Sequence, residues 1–309
     1  MARLTGRRAV LAMALLAISL PLTSSQEHLP SEEWSAEGGH SVLMEQYTAT
    51  WCDVCASVDI WMPDFTIANG DRVARVTVHD TFDDPLGTPI TAHRAQYYST
   101  ALAAPSFWFD GSLLLGGAPD KASLHRALLS AEGQRADDTR MVLVVRTLSA
   151  SQISISVELS DIATPDNTQI SFFALRASVS IGPEQAINGI TEHHDVVFAY
   201  AETSIEGDAK WSYPGDSWGG ATGAGQSVEP GGTVVLTRTL ELPEGVTAEE
   251  LRIVAVHESS SAEGSEPSTM GAVAVSLGNQ GDSDGIGLLV PLSLILALST
   301  LAITAQSRR

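Results

Sequence analysis

Cys52 and Cys55 are the only cysteines in 309 residues, and they sit three apart in Thr48-Ala49-Thr50-Trp51-Cys52-Asp53-Val54-Cys55. A Cys-x-x-Cys between a short apolar strand and a helical stretch is the pattern of a thiol redox pair. The nucleophile is the thiolate, not the thiol. At a helix start, Cys52 meets unpaired backbone N–H groups and the positive end of the helix dipole, both of which favour negative charge. Cys55, one turn later on the same face, is placed to resolve a mixed disulfide formed by Cys52. Three other readings stand beside this one. A structural cross-link is a poor use of the spacing, because a four-residue loop yields about 1.9 kcal/mol against about 4.7 for a loop of a hundred residues. Half of a zinc site would need His79 and His93 to complete it, and no metal is expected. The third is a scaffold that keeps the pair without catalysis.

Other residues could do chemistry, and each has a plainer role. His193-His194-Asp195 follows Glu192. Adjacent histidines in a strand face opposite ways, so a chelate there needs loop geometry. Trp211, Tyr213 and Trp218 lie in a glycine-rich stretch, where aromatics buried under a long loop are the simpler reading. Gly215-Asp216-Ser217-Trp218-Gly219 has the letters of a serine nucleophile elbow but lacks the flanking strand and helix. No phosphate-cradling glycine loop is present.

The elements around the cysteines follow from periodicity. Ser41–Thr48 reads as a buried strand and Ser57–Ile67 as a helix that Pro63 should kink. Val73, Val76 and Val78 mark a strand, and Asp83-Asp84-Pro85 with Gly87 marks a loop. Residues 90–102 have helical character. The aromatic run Phe107-Trp108-Phe109 is a strand, Asp110-Gly111 a hairpin turn, and Ser112–Leu115 the returning strand. Pro119-Asp120 opens a helix that runs to about Ala131. Beyond a polar linker at 133–138 the period changes to two. Runs such as Ile153, Ile155, Val157 and Leu159 predict an all-β, immunoglobulin-like sandwich over 139–277. The segment 202–230 is poorly periodic.

The ends and the charge set the location. Arg3, Arg7 and Arg8 precede an apolar run from Ala9 to Leu22, then Thr23, Ser24 and Ser25. This is a secretory signal over 1–25, followed by a flexible leader over 26–40. Residues 278–285 form a linker. The uncharged run 286–305 is about 30 Å long as a helix, enough for a bilayer core. Arg308-Arg309 beyond it predicts a cytoplasmic end, with the rest extracytoplasmic on a single-pass cell-membrane anchor. A formal net charge of −20 excludes a nucleic-acid partner, which needs a basic surface. That acidity gives solubility, and it could also select basic partners.

Residues 41–132 resemble a thioredoxin-like domain. Trp51-Cys52-x-x-Cys55 is similar to that family's active-site stretch, and Ala104-Pro105-Ser106 to its cis-proline loop. The resemblance implies that Pro105 is cis, that Ala104 offers backbone hydrogen bonds to a bound polypeptide, and that Trp51 covers the pair. A closer resemblance is to the outer-membrane thioredoxin-related protein family, carried by Glu45-Gln46-Tyr47-Thr48-x-x-Trp51-Cys52 and by Arg94-Ala95-x-Tyr97-Tyr98 followed by Pro105 and Phe109-Asp110-Gly111. Two departures bear on the chemistry. Asp53 puts a carboxylate beside Cys52, which disfavours the thiolate and leans the pair towards reduction or isomerisation. Gln46 stands where the thioredoxin family has its buried acid, so the usual proton relay is missing, and Glu45 should point to the opposite face.

The chain is therefore expected to be an α/β thioredoxin-like domain, an all-β sandwich and a C-terminal transmembrane helix. The expected activity is an anchored extracytoplasmic thiol–disulfide oxidoreductase. Its clients would be secreted or surface proteins, it would need an external electron donor or acceptor, and its redox centre would be Cys52–Cys55 with no cofactor. A cell-surface binding or adhesion protein using the fold as a scaffold is the alternative.

Overall fold

Apolar residues at period two form the strands beyond residue 139, and these strands pair with strands that precede residue 135. The computed structural model describes residues 32–98, 103–135, 139–163, 166–223, 229–260 and 267–278. The first part holds β1 (Glu33–Gly38), β2 (Val42–Thr48), α1 (Asp53–Asp59), α2 (Met62–Asn69), β3 (Val73–His79), α3 (Pro89–Tyr97), β4 (Ser106–Phe109), β5 (Leu113–Gly116) and α4 (Lys121–Gln134). Strands make up nearly all of the rest: β6 (Arg140–Ser149), β7 (Gln152–Ser160), β8 (Thr168–Ser180), β9 (Glu192–Ser204), β10 (Ala209–Tyr213), β11 (Thr222–Gly223), β12 (Val234–Glu241), β13 (Leu251–Ser259) and β14 (Thr269–Ser276).

These strands form two sheets. The smaller runs β1-β6-β7-β12-β11, and the larger runs β14-β13-β8-β9-β3-β2-β4-β5 with β10 added on β9. Alternation decides which core each side chain joins. Ile170, Phe172 and Ala174 of β8 and Ile253 and Ala255 of β13 pack with Leu143, Ile155 and Leu236 of the smaller sheet. Phe173, Leu175, Val254 and Val256 point the other way and join Leu43, Val76 and Ile90. A third cluster lies between the opposite face of β2 and β4 (Val42, Met44, Phe107, Phe109) and α1, α2 and α4, through Val58, Phe65 and Leu128.

The expected division into an α/β thioredoxin-like domain and a separate sandwich is corrected by this topology. The structure is mostly β, and the large sheet takes strands from both regions. Parallel β3 and β9 join at Thr77 and Val196, and Thr77 Oγ1 donates to the His194 carbonyl at 3.0 Å. Strand β1 pairs along its whole length with β6. Part of the expected leader is therefore a strand, and its own alternation accounts for this: Trp34 and Ala36 pack on the sandwich core while Glu33, Ser35 and Glu37 are exposed. At the corner that follows, Gly39 has φ +113° and passes so close to the Thr139 carbonyl that a Cβ would lie 1.9 Å from its oxygen.

Arg94 ties the two regions at a buried point. It pairs with Glu45 of β2 at 2.8 Å and Glu258 of β13 at 2.8 Å. Burial opposes its charge, but the two carboxylates hold it protonated, well above the ordinary arginine range. The expected transmembrane helix over 286–305 lies outside the described residues. No helix among the described residues is long and apolar enough to cross a membrane.

Candidate functional site: the Cys52–Cys55 loop

Strand β2 ends at Thr48, and the chain turns through Ala49-Thr50-Trp51 before α1 begins. The turn is closed by the Cys52 N–H donating to the Ala49 carbonyl at 3.1 Å. Cys52 is then the N-cap of α1, with extended backbone, and its Sγ accepts from the Cys55 N–H at 3.1 Å. The two cysteines form a disulfide with S–S 2.04 Å. Both cysteines are buried, Cys52 with 7% exposure and Cys55 with 0%. With Ala49 they make a small apolar cluster against which Ala104 packs. The Ala104–Pro105 bond is cis and Pro105 is buried. Trp51 is exposed, and its indole N–H donates to the Phe82 carbonyl at 2.9 Å. Asp53 is the first helical residue and exposed.

Gln46 is fully buried but does not stand alone. Its Nε2 donates to Asp59 Oδ1 at 2.5 Å, and its Oε1 accepts from Arg75 Nε at 3.1 Å. Asp59 also accepts from the Thr48 hydroxyl at 2.7 Å. Burial pushes the Asp59 carboxyl above the ordinary aspartate range, against the pull of the Thr48 hydrogen bond and the Arg75 charge. Asp59 lies four residues after Cys55, on the same side of α1. A partly buried acid with a raised pKa is therefore present one turn after Cys55, supplied by the helix where the sequence offers only Gln46 on the strand. Glu45 faces away from Gln46, and both of its oxygens accept from Arg94.

Two further loops hold the cysteine turn. In the first, after β3, Asp84 Oδ2 accepts from the Thr50 N–H at 2.8 Å and meets His79 Nδ1 at 3.0 Å. Burial works against the Asp84 charge, but these bonds and that from Leu86 N–H outweigh it and hold the carboxyl below its ordinary range. The second loop connects β8 and β9, more than a hundred residues along the chain. The Asn188 side chain donates to the Ala49 carbonyl at 3.1 Å and the Cys52 carbonyl at 3.3 Å, and its backbone N–H donates to the Thr50 carbonyl at 2.9 Å. Sequence reasoning missed Asn188 and Asp59. Asp59 had a findable signal, a carboxylate at i+4 from a cysteine on a helix. Asn188 had none, because its role exists only once β9 lies beside β3.

The remaining candidates fall elsewhere. His193 is buried with its ring edge on His79 at 5.0 Å, and its Nε2–H donates to the Ile190 carbonyl at 3.1 Å. No group of three or more metal-binding side chains is found among the described residues. Trp211 stacks on His93 at 4.0 Å, and Trp218 is buried in the sandwich core.

No protein-family model and no curated protein sequence matches the chain. Among solved structures, HBP35 of Porphyromonas gingivalis overlays with a TM-score of 0.58 at 14% identity, covering 80% of this chain and 79% of that one. A protein of Agrobacterium tumefaciens overlays with a TM-score of 0.52 at 12% identity, covering 79% and 97% respectively. A family 9 carbohydrate-binding module from Caldicellulosiruptor kristjanssonii, solved with glucose, reaches a TM-score of only 0.26, too low to bear on the fold. The first two overlays span about four-fifths of the chain, so the likeness runs through both regions rather than one.

Proposed function

We propose that the protein exchanges thiols and disulfides with extracytoplasmic polypeptides through Cys52 and Cys55, leaning towards reduction or isomerisation. The observation that supports this best is the asymmetry of the pair: a helix-capping Cys52 that keeps slight exposure and, one turn on, a Cys55 that keeps none. In the reducing direction, the Cys52 thiolate attacks one sulfur of a client disulfide and the other client sulfur leaves as a thiolate, which takes up a proton. The Cys55 thiolate then attacks Cys52, the second client sulfur leaves, and the client holds a dithiol while the protein holds the disulfide. An external dithiol must return the pair to its reduced form. The Asp59 carboxyl, held up by burial, is suited to accept the Cys55 proton during resolution. Asp53 beside Cys52 supports the lean, because a neighbouring carboxylate disfavours the thiolate.

Replacing Cys55 by serine removes the resolving step, so Cys55→Ser should accumulate mixed disulfides with client proteins while Cys52→Ser accumulates none. The wild-type chain should reduce a protein disulfide catalytically when a dithiol is supplied. Absence of both adducts and turnover would leave the binding or adhesion reading in its place.

A further inference from the structure

The surface around Cys52 is built by three loops, at 49–55, 80–87 and 181–191, and each contributes exposed apolar area. Trp51 is 36% exposed, Val54 54%, Phe82 76% and Ile187 61%. These side chains lie on the three segments that meet at the cysteine turn, where Cys52 itself is buried. The loops are joined through main-chain atoms: Trp51 to the Phe82 carbonyl, and Asn188 to the Ala49, Thr50 and Cys52 carbonyls. Their apolar side chains are left facing water. Large apolar groups gathered around a reactive centre mark an interaction surface rather than scattered exposure.

The formal charges on the three segments themselves are all negative. The three segments contain no lysine and no arginine. They carry exposed Asp53, Asp83 and Glu184. We infer that the three loops form a docking rim for an extended polypeptide segment whose cysteine lies between apolar and cationic side chains. This rests on the thiol-exchange reading above, and it adds the chemistry of the client. The apolar residues supply the buried area of the contact, and the acidic groups favour Lys or Arg on the flanks and repel acidic segments. The loop between β8 and β9 is integral to the rim, so the second region of the chain takes part in choosing the client.

The test uses the oxidised full chain and three short synthetic peptides with serine in place of the central cysteine, so that binding is read without exchange. One has apolar and lysine flanks, one apolar and glutamate flanks, and one polar and lysine flanks. Fluorescence anisotropy should show the first binding at least about tenfold more tightly than the other two, with the preference over the glutamate peptide shrinking at about 0.5 M salt. The double variant Phe82→Ser, Ile187→Ser, checked for an unchanged Tm, should lose most of the preference for apolar flanks. Equal binding of the three peptides, or a double variant that binds like the wild type, overturns the docking rim. Exchange of the reduced wild-type chain with a small aromatic disulfide is measured alongside. Exchange with unselective binding leaves the redox reading and removes the rim. Selective binding with no exchange leaves the rim as a binding surface and removes the redox reading.

Discussion

Two histidines show how single residues report on the packing around them. His193 and His257 are both buried, and burial, joined for His193 by the neighbouring His79, lowers their pKa from 6.5 to about 4. A histidine held below its unfolded value stays neutral when folded, while the unfolded chain takes up a proton. Its contribution to stability is therefore complete above about pH 6.5 and is lost as the pH falls through about 4. The expected loss is on the order of 3 kcal/mol for His257 and, because solvent screens it more, less for His193. Asp84, held below its ordinary value, adds a loss of the same sign at still lower pH. Asp59, held above its ordinary value, contributes in the opposite direction. Urea midpoints measured from pH 7 to pH 4 should fall, and His193→Gln and His257→Gln should each flatten the slope. A midpoint unchanged across that range would contradict neutral burial. The sequence marked His193 only as a possible ligand and did not mark His257, because neither burial nor its electrostatic cost is a property of neighbours along the chain.

At the scale of elements, α3 is fixed to both regions through Arg94. The helix itself is short, opened by Pro89 after the N-cap Thr88. Its stability comes from packing Ile90 into the core and from the Arg94 bonds to Glu45, Glu258, Tyr98 and Tyr200. Removing one member of a buried ionic group leaves the others uncompensated, which costs about 3–5 kcal/mol. Arg94→Leu should therefore destabilise the chain by that amount. The triple change Arg94→Leu, Glu45→Leu, Glu258→Leu should recover a large part of it, since apolar replacement of the whole group removes the stranded charges. If Arg94→Leu alone is neutral in denaturant unfolding, the network is not holding α3. Arg94 stood out in the sequence as part of a resemblance, but its partner Glu258 lies 164 residues away and could not be paired with it by spacing.

Across the whole molecule, the first and second regions fold as parts of one another. Strand β1 completes the smaller sheet, β3 meets β9 in the larger one, and Asn188 satisfies carbonyls of the cysteine turn. Cutting the chain near residue 137 should therefore give an N-terminal piece that lacks a cooperative unfolding transition on its own. Mixing or co-expressing the two pieces should restore one. Independent cooperative unfolding of residues 32–135 would support the two-domain division that the topology replaces.

Short-range chemistry was legible in the chain by itself. The Cys52–Cys55 spacing, the strand before it, the Asp110-Gly111 hairpin, the helix opened after Pro119 and the period-two runs beyond residue 139 all express local preference and alternation, which neighbours in sequence determine. Tertiary structure alone decided the rest. A strand's alternation says which residues share a face but not which strand lies beside it, so the joining of β3 to β9 and of β1 to β6 was not readable. The same pairing brings Asn188 onto the cysteine turn and Glu258 onto Arg94. It thereby turns an expected pair of domains into one mostly β fold with the Cys52–Cys55 pair at a meeting point of three loops.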